Sequence, residues 1–274
     1  GYYNSLNRAR LFKTDGDGNL QFTKDFFLGS QTTGEGIVVT QDGHYVVAGY
    51  SKTGNNPRQA FLFKTDKAGN LVWTYTFPSA FDTEVLDVVE INDGSLVAAG
   101  HRKNLSGLED ILVLKVSPQG ALIWSNLYGE NNTVEKASSL AVAPDGSILV
   151  TGGKRTVPRD ICVLNIDAAS GDLIWENVFS FFEVSSGNPA DDVARAILVD
   201  TDGNIVLAGR SNYEENGIGL LMKIAGTGTN QVLWRHSYSK SDFYGLAKSQ
   251  TGGFFITGTK ATDQSEDVYI VRAN

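Results

Sequence analysis

Lys52, Arg102 with Lys103, Lys154 with Arg155, Arg210 and Lys260 each stand one to three residues beyond a glycine that closes an apolar run. The chain carries a net charge of −8. Cations recurring at one place in such a chain would gather into a positive patch on an acidic protein. That patch suits an anionic ligand, a sulfated or carboxylated glycan, or an acidic loop of a partner. Local pairing is the plainer alternative, because Asp110, Asp160 and Asp267 open the runs that follow. An exposed pair of that kind contributes only about 0–1 kcal/mol.

Other reactive side chains are sparse. His44, His101 and His236 show no metal-ligand spacing, and no Gly-x-Ser-x-Gly turn accompanies them. They read as surface or packing residues. Glu35, Asp87 and Asp192 fall near strand starts, where paired carboxylates about 5–9.5 Å apart would hydrolyse a glycosidic bond. Their positions differ from one repeat to the next, which favours solvated carboxylates. Asp15-Gly-Asp17-Gly-Asn19 and Asp200-Thr-Asp202-Gly-Asn204 alternate oxygen side chains as a calcium loop does. Both lack the loop glycine at the sixth position and the glutamate at the twelfth, so a hairpin turn explains them and no metal is expected. Cys162, the one cysteine, sits in the apolar run Ile161–Leu164 and reads as a small buried hydrophobe. Phe181, Phe182 and Tyr213 lie in the fourth full copy, which carries the longer inserts, and exposed aromatics there would anchor a partner or cap the core. The candidate binding face is therefore Lys52, Arg102, Lys103, Lys154, Arg155, Arg210, Tyr213 and Lys260.

The elements that position these residues repeat. Aromatic residues at 22, 73, 124 and 175 are 51 apart, and the next, Trp234, follows after 59. Three of the five copies read Gly69-Asn-Leu-Val-Trp73, Gly120-Ala-Leu-Ile-Trp124 and Gly171-Asp-Leu-Ile-Trp175. A second marker is an apolar strand ending in Gly49, Gly100, Gly152, Gly209 or Gly258, each preceded by a turn glycine six residues earlier. Four of those turns read Asp-Gly, a strong hairpin signal. A third marker ends near Lys13, Lys64, Lys115, Asn165, Lys223 and Arg272. Each unit thus holds four strands, A to D.

Successive apolar positions in the C strands call for burial on both faces, whereas Leu71, Trp73, Tyr75 and Phe77 alternate on a D strand. Sheets buried on both faces gain most by stacking radially, which hides every face. The sequence predicts an all-β fold, a β-propeller of four-stranded antiparallel blades with tryptophans docking between them. The whole of 1–274 is one domain, with units near 31–80, 81–130, 131–181, 182–240, and 241–274 completed by 1–30. Five A–B pairs and six C-like segments leave two counts open. Five blades, the preferred count, close with an extra edge strand. Otherwise six exist, and the chain is a piece of a longer one. In either case the N- and C-terminal strands share the closing blade.

The Asp-Gly turn, the glycine-ended B strand and the Gly-x-Leu-x-Trp strand resemble the bacterial surface-type β-propeller repeats of secreted proteins and lipoproteins. Asp167-Ala-Ala-Ser-Gly171-Asp-Leu-Ile-Trp175 also resembles the tryptophan-docking motif of quinoprotein-like propellers. Only one copy has that form, so no quinone or other cofactor is expected. The resemblance implies an exported bacterial protein (periplasmic, outer-surface or secreted) that binds or scaffolds without catalysis. Its partner would be a protein or a glycan at the cell surface. A carbohydrate-active hydrolase or lyase is the alternative. A pI near 4.9 argues against nucleic acid. No run approaches the roughly 18 apolar residues of a membrane helix. A monomer is expected.

Overall fold

Each apolar run bounded by Asp, Asn or Gly turns is a strand in the computed structural model, which describes residues 7–130, 132–155, 159–180, 192–211, 217–261 and 265–273. Among the described residues there is no helix, hence none long and apolar enough to cross a membrane. The chain divides into two compact units, Gly1–Tyr128 and Gly129–Asn274.

In the first unit, β1 (Ala9–Thr14) and β2 (Leu20–Phe26) pair as a two-stranded antiparallel sheet. Two four-stranded sheets follow in simple up-and-down order. They are β3 (Gln31–Val39), β4 (Tyr45–Lys52), β5 (Gln59–Thr65) and β6 (Leu71–Thr76), then β7 (Thr83–Glu90), β8 (Leu96–Lys103), β9 (Glu109–Val116) and β10 (Leu122–Tyr128). The second unit repeats the plan. Its sheets are β11 (Val134–Val142), β12 (Ile148–Arg155), β13 (Arg159–Ile166) and β14 (Leu173–Phe179), then β15 (Asp192–Val199), β16 (Ile205–Ser211), β17 (Ile218–Ile224) and β18 (Val232–Ser239). A three-stranded sheet of β19 (Ser241–Lys248), β20 (Phe254–Ala261) and β21 (Glu266–Ala273) completes it.

Burial follows the strand roles. The C strand β5 is buried at every position after Gln59, and β13 at every position after Arg159. In the first unit Val46, Leu62, Val85, Leu96 and Leu114 share one core across two sheets, and in the second Val163, Ile205, Leu207 and Met222 do the same. Each such side chain gains about 1.5–3 kcal/mol over exposure, so neighbouring sheets hold one another in place. The D strands depart from the alternation expected of them. A register shift between Leu71 and Trp73 leaves Leu71 51% exposed, while Trp73, Tyr75 and Phe77 pack inward. The same shift precedes Trp124, Trp175 and Trp234.

The two ends of the Gly-x-Leu-x-Trp motif serve different partners. Trp73 donates its indole N–H to the carbonyl of Pro118 at 3.0 Å, in the C–D turn of the next sheet. A Cβ on Gly120 in that turn would lie 2.7 Å from the Trp73 ring, and the glycine has φ +85°. Phe22 meets Gly69 and Trp175 meets Gly228 in the same way. The motif's glycine receives the preceding sheet's aromatic ring, while its own aromatic reaches forward.

Candidate functional site

Every A strand carries a β-bulge at the same register. Gly34 and Gly36 oppose Gly49 and Ala48, so Glu35 has no cross-strand partner. Leu86, Ser138, Arg195 and Tyr244 are skipped in the same way on β7, β11, β15 and β19. The B-strand glycine makes the bulge possible. A Cβ on Gly49, Gly100, Gly152, Gly209 or Gly258 would collide with an A-strand carbonyl oxygen, far inside 3.0 Å. A bulge kinks the strand and re-aims a side chain. Here one residue at the middle of each A strand is re-aimed, and its chemistry differs each time.

Beside the first two bulges lies a charged cluster. Glu84 takes His101 Nε2 at 2.6 Å and Arg58 Nη1 at 2.9 Å, with the two acceptors' partners held on β8 and β5's approach. Asp82 accepts the Arg58 backbone N–H at 2.7 Å and the Lys103 ammonium at 3.2 Å. The His101 and Glu84 side chains, partners within one sheet, are only 7% and 14% exposed, and Arg58, from the approach to β5, ties the neighbouring sheet to them in a partly dry setting. The space between Arg58, Asp82, Glu84, His101, Lys103 and Glu109 is too narrow to admit a water molecule. Burial and the neighbouring Glu84 charge raise the carboxyl of Glu35 above the usual carboxylate range.

The last two bulges meet in a second cluster. Arg195 stacks its guanidinium 4.6 Å from the centre of the Tyr244 ring. Asp242 Oδ2 accepts Arg195 Nη2 at 2.9 Å and the Tyr244 hydroxyl at 3.1 Å, and Arg210 Nη1 lies 3.6 Å away.

The basic residues singled out from the sequence fall at the expected strand ends but into different settings. Lys52 is half-buried at the end of β4, and Arg155 is exposed at the end of β12. Arg102 stands opposite Asp110, Lys154 opposite Asp160 and Lys260 opposite Asp267. The ion pairs of Lys103, Lys154 and Arg210 run to other carboxylates. Lys154, 7% exposed, is 2.7 Å from Glu130 and 3.1 Å from Glu176, and Lys103 and Arg210 reach Asp82 and Asp242. Lys260 lies 5.0 Å from the Tyr269 ring centre. Tyr213, Phe181 and Phe182 lie outside the described residues.

Of the histidines, His44 sits in its turn, 3.3 Å from Asp42, and His236 is exposed on β18. His101 is buried within β8 rather than at a turn. Asp15 spends its oxygens on the backbone N–H groups of Asp17 and Asn19 and the Asn19 amide. Asp200 likewise serves Asp202, Asn204 and Lys223. Among the described residues no group of three His, Cys, Asp or Glu side chains is arranged to hold a metal. Asp87 accepts the backbone N–H of Val88, and Asp192 is buried on β15.

Sequence reasoning missed Glu84, Arg195, Asp242 and Tyr244. Their signal was the glycine closing each B strand, which marks where the opposing strand must bulge.

Repeated four-stranded antiparallel sheets, docked through aromatic residues, define a β-propeller repeat protein. The sequence matches the family of the outer membrane protein assembly factor BamB over residues 9–271, and the chain belongs to that family. No curated protein matches the sequence. Among solved structures, a protein of unknown function from Dyadobacter fermentans DSM 18053 superposes with a TM-score of 0.62 at 8% identity, over 94% of this chain and 81% of that one. An endo-arabinase from Bacteroides thetaiotaomicron VPI-5482 gives 0.50 at 14%, over 87% and 92%. An exo-β-1,3-galactanase from Clostridium thermocellum gives 0.52 at 11%, over 97% and 63%. At these identities the likeness is one of fold.

Proposed function

We propose that the protein is an exported, non-enzymatic binding or scaffolding propeller that presents its bulge and B–C turn face to a protein partner. The observation that carries this reading is the constant bulge with changing cargo: Glu35, Leu86, Ser138, Arg195 and Tyr244 at one register. A frame that repeats while its displayed side chains do not is suited to recognition, with function on loops and kinks held by a rigid scaffold. Lys52, Arg102, Lys103, Lys154, Arg155, Arg210, Tyr213 and Lys260 belong to the same face in this reading. Membership in a family described by an outer-membrane assembly factor supports export and a protein partner, and a cell-surface glycan is the other partner class. We read the chain as a monomer of five blades, with the terminal strands sharing the closing one.

The test is a photocrosslinking amino acid placed at Leu86 or Ser138, with Thr74 on an outer strand as control, in exporting bacteria. Adducts at the first two positions and none at Thr74 support the reading. Equal adducts at all three, or none, overturn it.

One observation favours a second reading, a carbohydrate-active hydrolase. Glu35 is held towards its protonated form while Arg58 and His101 clamp Glu84, and carboxylates in contrasting settings suit acid and base roles. The narrow space beside Glu84 counts against it. Release of reducing sugar from arabinan or galactan, abolished by Glu35→Gln, would establish the hydrolase instead.

A further inference from the structure

We propose that Arg195 and Arg210, with Tyr244 at the rim, form a site for the carboxylate of an aspartate or glutamate side chain on a protein partner; the assignment rests on the binding reading above. Two guanidinium groups converge here on one carboxylate, Asp242. Each guanidinium has five N–H donors, and Asp242 engages one nitrogen of each. Among the described residues, the buried Nε groups of both arginines have no hydrogen-bond partner. Asp242 therefore leaves further N–H groups of the two forks for a second acceptor. Both side chains remain about a third exposed, at 33% and 36%, so part of each is within reach of a ligand. Asp192, the other carboxylate on these strands, is buried opposite Ser211 and has an interaction of its own.

The site is also held in shape. The bulge on β15 presents Arg195, the bulge on β19 presents Tyr244, and their stacking fixes both. The Tyr244 hydroxyl is anchored on Asp242 while the residue stays 49% exposed. Preorganised arginine forks match carboxylates in two-point geometry, and arginine and tyrosine are the side chains that most often anchor protein interfaces. Arg195 covers one face of the Tyr244 ring, leaving less of it for a pyranose to stack on, which favours a peptide over an acidic sugar.

The experiment titrates a fluorescent hexaglutamate peptide into the full chain at low salt. Anisotropy is read alongside the arginine Nε–Hε signals in a nitrogen-15 NMR spectrum. Hexaglutamate is expected to bind, to shift the Arg195 and Arg210 signals, and to bind at least tenfold more weakly to Arg195→Gln and Arg210→Gln. Should either variant fold poorly, Arg195→Lys keeps the charge without the fork and is expected to weaken binding several-fold. Unmoved signals at millimolar peptide, or equal binding by all variants, overturn the proposal. Binding of oligogalacturonate with hexaglutamate silent overturns the peptide assignment in favour of a sugar acid. If crosslinks through Leu86 and Ser138 persist while hexaglutamate fails, only this assignment falls and the wider binding reading stands.

Discussion

Lys64 Nζ lies 2.9 Å from Asp42 Oδ2, reaching from the C strand β5 across β4 to the A–B turn of its own sheet. The lysine stem is 9% exposed and the aspartate 52%. Lys115 meets Asp93 at 3.1 Å in the next sheet, and Lys223 meets Asp200 in a later one. The lysine that recurs in the sequence is thus an intrasheet latch. Asn165 stands at its position in the sheet of β11–β14, where Asp145 bonds Ser147 instead.

Substitution at the latch separates its charge from its packing. Asp42→Asn is expected to lower stability by about 1 kcal/mol, a small figure because half of the aspartate faces water. Lys64→Met, which keeps the apolar stem, is expected to be close to neutral. Urea midpoints of the two variants check this, and an equal loss of several kcal/mol in both would contradict it.

The latches also set the response to acid. Hydrogen bonds from Thr40 and Lys64 hold the Asp42 carboxyl well below the usual carboxylate range. Burial works against ionisation of Asp93 and Asp200. Hydrogen bonds from Ser95 and Lys115 prevail at the first, and those from Lys223 and Asn204 at the second, so both are lowered too. A carboxyl with a depressed folded-state pKa binds fewer protons in the native state than in the unfolded chain. Its contribution is therefore complete above the unfolded value of about 4 and is lost as pH falls through the folded value. Stability is expected to decline below about pH 4, with a shallower slope in Asp42→Asn, as read from urea midpoints at pH 2.5 to 6.

The B-strand glycine and a turn glycine should differ sharply. Gly100→Ala forces a Cβ into the Glu84 carbonyl oxygen, so the bulge or the pairing of β7 with β8 must give way. A loss of about 3 kcal/mol or more is expected. Gly54→Ala, at φ +59° with nothing within 4 Å of the new carbon, meets only the backbone preference, about 1–2 kcal/mol. Thermal unfolding of the two variants measures the difference, and similar midpoints would remove the bulge as the reason for the glycine.

These glycines show how far the sequence could be read. Strands, turns and the aromatic beat were legible because burial and tight turns demand the same residue types in each copy, as Asp42-Gly43 and Asp93-Gly94 illustrate. The bulges were not, because an extra residue in one strand is visible only when two strands are laid in register. The cations were legible as a repeat, yet their partners Asp82, Glu130 and Asp242 stand at three different places in their repeats. Pairing was expected across the B–C hairpin. The carboxylates of these ion pairs come from the chain leading into an A strand, or from the A strand itself, which approaches only once the sheet has formed.

Cys162 offers a check on the interior. It is fully buried in β13, and desolvation pushes its thiol up to about 12. The thiolate is the reactive form, so native protein at pH 8 is expected to leave a thiol reagent unconsumed for hours and to react within minutes in 8 M urea, as ~1 equivalent by absorbance. Prompt reaction of the native protein would mean that the sheet of β11–β14 opens far more often than its burial implies.

The coupling between Trp73 and Gly120 tests the docking that links one sheet to the next. Trp73 gives the turn both a hydrogen bond to Pro118 and a ring face against the bare Gly120 backbone. Trp73→Phe removes the indole N–H and some area, leaving the Pro118 carbonyl without that donor, and about 1–2 kcal/mol of loss is expected. Gly120→Ala adds a carbon 2.7 Å from the ring at a residue with φ +85°, so collision and backbone strain act together. With the smaller phenylalanine in place, part of the collision disappears while the strain remains. The double variant should therefore be less damaged than the sum of the singles, by about 0.5–2 kcal/mol in a double-mutant cycle from urea unfolding. Strict additivity would mean that the ring and the turn act independently, and that adjacent sheets are joined by the core side chains alone.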